Sequence, residues 1–436
     1  HPVAHSFPTR RSSDLGWAPY HYAQKWLLSS GSQLHDFPDA LKLAACEYDL
    51  SLNPPTWCGV TGVTARQAML AQGFWEWHEE VEQDGVSGSN FQTDRRPALV
   101  QNLFPSTTSC TPAGPPDYQP TCSSGVCADG LCTQVNWAGT FYRASQWSES
   151  AEEAVIYYNM TENGVAFGAR IPVVEASSGD VVRTDSGITA VRNPAVSGSK
   201  ELALVYKGEG DSTIRYILAD LSQSLPPTWA DEQMVSTNAS TDATPMGINY
   251  DSGTGEKLYF IYKQAGGTAL KYIQAGENVP SAIPGAHSSM APSAVVAAGR
   301  LWVFFRGTGD VSWGDTHVYY TSWNGSTWAP VQQLATVEPN QALMTQFRPE
   351  SIYYANRIWL ILTPAGGFGI AQASVVPTTT GAVTDVSPTV SLRTTDYLFD
   401  VDRIYTSAFH HGQHLRVYYP HDGSGSMWHI AKAGEG

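Results

Sequence analysis

Two short stretches of the sequence carry residue types that can hydrolyse a glycosidic bond. The stretch YLFDVDRIY contains Asp400, Asp402 and Arg403, and the stretch FRPES contains Arg348 and Glu350. Two carboxyl groups about 5 to 10 Å apart can act on such a bond as acid and as base or nucleophile. Asp400 and Asp402, two residues apart, would share one face of a strand. The alternative is structural: these charges end strands and pair with nearby arginines.

Two turns combine indole rings with polar side chains. A sugar site needs an exposed ring for the apolar face of the sugar, beside amide or carboxylate groups that bind its hydroxyls. The predicted ligand-binding residues are Trp313, Asp315, Trp323 and Asn324. Trp302 and Trp359 instead recur at one position of an apolar run, so we expect them to pack in the core.

The segment WHEEVEQ resembles the metal-binding pattern H-E-x-x-H. Glu82 stands where that pattern needs a second histidine, so His78 has no second imidazole with which to face a metal. The sequence predicts no metal site and no cofactor.

The cysteines are even in number and mostly clustered in a segment rich in proline, glycine and serine. They are Cys46, Cys58, Cys110, Cys122, Cys127 and Cys132. This pattern indicates disulfides formed in an oxidising compartment. Four thiolates could instead bind zinc, but the paired C-x2-C spacing of zinc ribbons is absent. We therefore expect disulfides and a secreted or extracellular protein.

Charge and composition exclude several partner classes. The formal net charge of -15 would repel nucleic-acid phosphates and anionic lipid. No apolar run approaches the roughly 18 residues that span a bilayer. The chain has 39 Gly, 14 Trp and 21 Tyr, a profile that favours an all-β protein with many turns.

The first fifteen residues, HPVAHSFPTRRSSDL, resemble the translation of a sequencing-library adaptor rather than natural protein. We therefore expect the chain to be a truncated fragment whose own start, with any signal peptide, was lost.

Three further regions are expected. Residues 16–104 would form a small helical region, the remnant of an upstream domain, because 36–50 and 62–85 show capped amphipathic patterns. Residues 105–135 would form a disulfide-rich linker, and 136–436 a β-propeller.

The propeller expectation depends on one element that recurs to the end of the chain. A short apolar run, a Gly-rich turn and a second run repeat six times, centred on Ile156, Val205, Ile261, Phe304, Ile361 and Val417. Repeats of this length are typical of a propeller with one four-stranded blade per repeat. A strand often led by proline precedes each run, so each repeat predicts an inner strand, a buried middle strand and an outer hairpin. Six copies favour six blades.

Residues 299–334, GRLWVFFRGTGDVSWGDTHVYYTSWNGSTWAPVQQL, resemble a blade of the sialidase-like and lectin-like β-propellers. The turn from Ser322 to Trp328 resembles their Asp-box, S-x-D-x-G-x-x-W, one residue shorter and with Asn324 in place of the aspartate. The resemblance implies a propeller of six or seven blades. Active sialidases also carry an arginine triad and an early F-R-I-P motif. FRPES comes late and lacks the isoleucine, so sialidase activity is not expected.

The sequence therefore favours a secreted recognition module that binds a glycan or a cell-surface protein. A sialidase-like or other glycoside hydrolase is the first alternative. An accessory region of a truncated hydrolase or protease is the second. The expectation leans against an enzyme, and the oligomeric state stays open.

Overall fold

The computed structural model describes residues 77–80, 95–109, 126–128, 131–144, 152–161, 169–193, 201–220, 226–308, 315–336, 342–354, 356–364, 369–387, 389–393, 400–406, 412–420 and 427–432. Every regular element in these ranges is a β-strand, so they contain no helix that could cross a membrane. The strands form six antiparallel sheets, which we call blades 1 to 6. The protein is thus mainly β, with a β-propeller architecture.

Each blade is a meander that starts with an inner strand. Strand β1 (Trp77–Glu80) comes first in the chain but belongs to blade 6. Blade 1 contains β2 (Ala98–Ser109), β3 (Val126–Ala128), β4 (Leu131–Arg143), β5 (Ile156–Thr161) and β6 (Ile171–Pro172). Blade 2 contains β7 (Thr189–Asn193), β8 (Glu201–Lys207), β9 (Ile214–Asp220), β10 (Thr228–Trp229) and β11 (Gln233–Met234).

The next two blades have four strands each. Blade 3 contains β12 (Met246–Asp251), β13 (Glu256–Lys263), β14 (Ala269–Gln274) and β15 (Ser281–His287). Blade 4 contains β16 (Ser293–Ala297), β17 (Arg300–Arg306), β18 (Val318–Trp323) and β19 (Gln332–Gln333).

The last two blades complete the set. Blade 5 contains β20 (Glu350–Tyr354), β21 (Arg357–Leu362), β22 (Ile370–Pro377), β23 (Val383–Thr384) and β24 (Val390–Arg393). Blade 6 contains β25 (Asp400–Thr406), β26 (Gly412–Pro420) and β27 (Met427–Lys432), and β1 pairs with β27 as its outermost strand.

The inner strands of the six blades lie around a common axis. Strand β2 contacts β7, β7 contacts β12, β12 contacts β16, β16 contacts β20, β20 contacts β25, and β25 returns to β2. This cyclic order brings the first and last blades together, so the two ends of the described chain are neighbours in space.

The middle strands are buried because each has apolar residues on both faces. In β17, Leu301, Val303 and Phe305 pack against blade 3. The alternate residues, Trp302 and Phe304, pack against blade 5. A strand between two neighbours needs apolar side chains at every position rather than at alternate ones. The expectation that Trp302 lies in the core is confirmed, since its side chain is fully buried and its Nε1 donates to Ala297 O at 2.9 Å.

Four buried hydroxyl residues mark the joints between successive blades. They are Thr184, Thr241, Ser288 and Thr345. The backbone N–H of each donates to a carbonyl of the preceding blade, over 2.7 to 2.9 Å. The inner strand of the next blade begins five residues later in all four cases. A repeated hydrogen bond therefore fixes where these four inner strands start.

Two expectations about the first third of the chain need correction. Residues Trp77–Glu80 form a strand, although the sequence places them in the second expected helix. Their backbone pairs with β27 in an antiparallel ladder of hydrogen bonds, which outweighs the local helical pattern. Strands β2 and β4 run across the expected boundaries at 104/105 and 135/136 and pair with each other. The other residues of the two expected helices lie outside the described ranges.

The first sequence copy is displaced by one strand. Val205, Ile261, Phe304 and Ile361 lie on middle strands and pair with the first residue of the inner strand of their blade. Ile156 lies on β5, the third strand of blade 1. Phe141 on β4 takes the equivalent place, since it pairs with the first residue of β2.

Candidate functional site

The site lies where the inner strands begin, an end of the molecule that we call the entry face. The first residues of the inner strands, the ring positions, are Ala98, Thr189, Met246, Ser293, Glu350 and Asp400. Hydrogen bonds between neighbouring strand starts align them. Thr189 Oγ1 donates to Pro245 O at 3.1 Å, and the Ser293 hydroxyl lies 3.0 Å from that of Ser351.

A carboxylate held between two guanidinium groups lies at this end. Arg96 Nη2 donates to Glu350 Oε2 at 2.7 Å, and Arg348 Nη2 approaches the same oxygen at 3.4 Å. The two Nε atoms make ion-pair contacts with Oε1 at 2.5 and 2.9 Å. All three side chains are at least nine-tenths buried. We call Arg96, Arg348 and Glu350 the axial cluster.

The axial cluster joins blades that are not neighbours in the ring. Arg96 precedes β2 of blade 1 and reaches Glu350 of blade 5, and its Nη1 donates to Ile188 O of blade 2 at 2.8 Å. Arg348 Nη2 lies 3.2 Å from Met246 Sδ of blade 3. The cluster therefore crosses the centre of the entry face.

Glycine at position 187 allows the backbone to pass close to the cluster. A Cβ atom at Gly187 would lie 2.9 Å from both Arg96 Cβ and Thr244 Oγ1, which real Cβ atoms essentially never do. Glycine lets two chain segments approach closely. The position of Arg96 is thus set by tight packing as well as by charge.

The fold itself does not require charge at these positions. Both arginines lie two residues before a ring position, and in blades 2 to 4 this place is taken by Gly187, Thr244 and Ala291. The ring position itself is neutral in Ala98, Thr189, Met246 and Ser293. Blades 1 and 5 supply the two arginines, so the charge is concentrated on one side of the ring.

The five hydrolase candidates of the sequence fall on two neighbouring inner strands. Arg348 and Glu350 are at the start of β20, in the axial cluster. Asp400, Asp402 and Arg403 are in β25, which lies between β20 and β2. The backbone register pairs Asp400 with Tyr418 and Asp402 with Arg416. Asp400 is thus a ring position, as Glu350 is.

A second polar group lies on the entry face at the start of β18. Asp315 Oδ1 is 2.7 Å from His317 Nδ1 and accepts a hydrogen bond from the His317 backbone N–H at 3.0 Å. Tyr319 Oη donates to Asp315 Oδ2 at 2.8 Å. Burial and the contact with Asp315 raise the pKa of Tyr319 to about 12. Burial acts to raise the pKa of Asp315, but these hydrogen bonds outweigh it and hold the pKa below its ordinary value.

The structure separates the expected ligand-binding residues. Asp315 precedes β18 and Asn324 follows it. The five steps from Val318 to Trp323, at about 3.3 Å each, put the two ends of the strand roughly 17 Å apart, so these side chains cannot bind one sugar ring. Trp313 lies outside the described residues.

The expectation that Trp323 is an exposed platform is wrong. The side chain is 7% exposed. It stacks on Trp328, with ring centroids 5.8 Å apart, and contacts the rings of Tyr250, Tyr259 and Tyr272. Asn324 Oδ1 accepts hydrogen bonds from the backbone N–H of residues 326 and 327, so it shapes the turn that carries Trp328. Pairing of the two indoles across this turn buries a ring that the sequence places in a loop.

Among the described residues, no group of three or more His, Cys, Asp or Glu side chains could hold a metal ion. Cys46, Cys58, Cys110 and Cys122 lie outside the described ranges. The register of β3 and β4 places Cys127 directly opposite Cys132.

Sequence reasoning missed Arg96, which it placed in a helical region. A hexapeptide that ends on the ring position would have found it: TDRRPA, TDSGIT, TDATPM, SSMAPS, TQFRPE and TDYLFD. The first residue of each copy is the hydroxyl residue of the joint, seen in the structure for the four middle copies. In this alignment Arg96 and Arg348 are equivalent residues of different blades.

No protein-family model matches the chain, and no curated protein sequence matches it. Among solved structures, a glycoside hydrolase family 43 arabinoxylan arabinofuranohydrolase from Bacillus subtilis aligns at a TM-score of 0.39 and 10% identity, over 76% of this chain and 78% of that one. An exo-β-1,3-galactanase from Phanerochaete chrysosporium aligns at a TM-score of 0.37 and 13% identity, over 73% of this chain and 80% of that one. An α-L-arabinofuranosidase from Clostridium thermocellum aligns at a TM-score of 0.36 and 12% identity, over 68% of this chain and 96% of that one. These are similarities of strand arrangement.

Proposed function

We propose that the protein binds a glycan at the centre of its entry face, over the axial cluster. One observation carries the proposal: a buried carboxylate is held between two guanidinium groups, at positions where blades 2 to 4 have neutral residues. Removing such charges from water costs several kcal/mol for each ion, and apolar replacements are often as stable or more so. Charges kept where the fold accepts glycine, alanine or methionine are best explained by a ligand.

The chemistry of the cluster fits a neutral polyhydroxyl ligand. Guanidinium groups donate and carboxylates accept hydrogen bonds in fixed directions, and sugar hydroxyls can do both. The net charge of -15 disfavours polyanions. Arg96 and Arg348 both bind Glu350, so gripping the carboxylate of an acidic sugar would require them to release it. This supports neutral sugars over sialic acids.

The test is a glycan array probed with the full 436-residue chain and with Arg348→Met. Saturable binding that Arg348→Met weakens tenfold or more, about 1.4 kcal/mol, supports the proposal. The matched control is Arg357→Met in the same blade, because Arg357 begins β21 away from the ring positions and forms an ion pair with Asp385. Equal losses in both variants, or a blank array with folded protein, would refute axial glycan binding.

Hydrolysis is the second candidate, favoured by the placement of Glu350 and Asp400 at the starts of neighbouring inner strands. A hydrolase needs one carboxyl group that gives up a proton and one that stays ionised. Two guanidinium groups favour the ionised form of Glu350. In this mechanism Glu350 would be the base or nucleophile, and Asp400 the acid.

The measurement is release of reducing sugar from the oligosaccharides that bind best on the array. If the protein is a hydrolase, Asp400→Asn should abolish turnover with binding retained, whereas Glu350→Gln, which alters the axial cluster itself, should reduce both turnover and binding. Binding without release of product over several days would support the recognition role and refute hydrolysis.

A further inference from the structure

The group of Asp315, His317 and Tyr319 offers a histidine to solvent on the same face as the axial cluster. The His317 side chain is 36% exposed and that of Asp315 34%. Because Asp315 binds Nδ1, a ligand on the exposed part of the ring would meet Nε2. An imidazole oriented by a carboxylate presents a fixed hydrogen-bonding direction.

The equivalent turn of blade 2 shows that the fold does not need this histidine. There Asp211 Oδ1 accepts hydrogen bonds from the backbone N–H and hydroxyl of Thr213, at 2.8 and 2.6 Å. Arg215 Nη2 donates to Asp211 Oδ2 at 2.8 Å. Blade 4 keeps the aspartate but replaces this closed arrangement with His317 and Tyr319. The turn has the same role in both blades, and only blade 4 presents an imidazole.

An exposed apolar side chain lies beside His317. The backbones of His317 and Met344 form an antiparallel bridge. Met344 is 41% exposed and is one of four exposed large apolar residues among the described ranges. The apolar face of a sugar can pack on a thioether while a neighbouring imidazole binds a hydroxyl. Together, His317 and Met344 offer both kinds of contact.

The chain connects this pair directly to the axial cluster. Residues 344–348 run from Met344 through the buried joint residue Thr345 and the half-buried Gln346 and Phe347 to Arg348. Four residue steps span at most about 14 Å. A ligand seated over the axial cluster would have to extend by no more than this distance to reach Met344, the bridge partner of His317.

We infer that the glycan extends outward from the axial cluster along residues 344–348 to His317 and Met344, so that the protein selects an oligosaccharide over a monosaccharide. This inference rests on the proposed function, and it assigns a second subsite to His317 and Met344.

The experiment measures binding by calorimetry with the full chain. The probes are xylose, xylotriose and xylopentaose, with galactose and its β-1,3-linked trimer in parallel. The wild-type chain should bind the longer sugars at least tenfold tighter than the monomer. His317→Ala and Met344→Ala should each weaken the longer sugars roughly fivefold, about 1 kcal/mol, and leave monomer affinity unchanged.

Matched controls separate a subsite from a general loss of structure. Met234→Ala removes an equally exposed methionine from the outer strand of blade 2. His287→Ala removes a histidine whose Nδ1 likewise contacts a side chain, here the Thr268 hydroxyl, at the outer edge of blade 3. Neither should change affinity. Met344→Ala tests the inference even if His317→Ala reduces stability, because Met344 is exposed.

Two results would overturn the inference. Equal affinity of the wild-type chain for monomer and pentamer would show that there is no outer subsite, with the axial site intact. Chain-length preference unchanged in both variants would place the subsite elsewhere. Absence of binding to every sugar would refute the proposed function itself.

Discussion

The side chains of Arg96 and Glu350, 254 residues apart in the sequence, meet at the centre of the entry face with a hydrogen bond of 2.7 Å. Arg96 comes just before the first inner strand, and Glu350 begins the fifth. Because Arg348 approaches the same carboxylate, removing Glu350 would leave two buried guanidinium groups without this partner. The contact therefore matters for stability as well as for the proposed ligand.

We predict that Glu350→Gln lowers the free energy of unfolding by about 3 to 5 kcal/mol, the usual cost of removing one partner of a buried ion pair. Urea unfolding at neutral pH measures the change. Asp385→Asn is the matched control, because Asp385 pairs with Arg357 but is 70% exposed, and its loss should cost less than about 1 kcal/mol. Equal effects of the two substitutions would contradict the prediction.

We predict that Trp323→Ala reduces stability and leaves glycan affinity unchanged. The ring is buried among Tyr250, Tyr259, Tyr272 and Trp328, so its removal should cost about 3 to 5 kcal/mol. Thermal unfolding and affinity of the folded fraction are the two readouts. Normal stability with weakened glycan binding would contradict this prediction and show that the Trp323 ring contacts the sugar.

The strands were predictable because their chemistry is local. The run LWVFF at residues 301–305 is apolar at every position, which only a strand with neighbours on both faces requires, and Trp302 could be assigned to the core on that basis. The first repeat was misplaced because YYNM on β5 has the same apolar character as a middle strand, and strand order within a blade depends on pairing rather than on composition.

The site was only half predictable. Glu350 and Arg348 are close to each other in the sequence, and Asp400 begins the next inner strand, so a reading of local stretches could single them out. Arg96 becomes a neighbour of Glu350 only when the ring closes, and only the hexapeptide repeated in all six blades, not the stretch around Arg96 alone, marks its position. The burial of Trp323 likewise depends on blade 3, whose tyrosines are 51 to 73 residues away in the sequence.

We predict a loss of stability in acid that depends on the pair of Asp242 and Lys263. Burial acts to raise the pKa of Asp242, but hydrogen bonds from Lys263 Nζ and the Gly266 N–H hold it below its ordinary value. An aspartate whose pKa is lower in the folded protein contributes its full stabilisation when the pH is above its pKa in the unfolded chain, about 3.9. This contribution is lost as the pH falls through the lower pKa of the folded state. Urea midpoints of wild type and Asp242→Asn should differ at pH 7 and converge at pH 2. A constant difference would contradict this.

We predict a disulfide between Cys127 and Cys132. Antiparallel pairing of β3 with β4 places these residues opposite each other, one pair away from the ends of the two strands, which only two residues separate in the sequence. In such a hairpin the second pair is the non-hydrogen-bonded one, whose Cα atoms are closest, near the lower limit that a disulfide accepts. Peptide mapping of protein made in an oxidising compartment should show the two cysteines linked, with alkylation only after reduction. Free thiols at both positions would rule the bridge out, and metal release on acidification with both thiols intact would favour the zinc alternative.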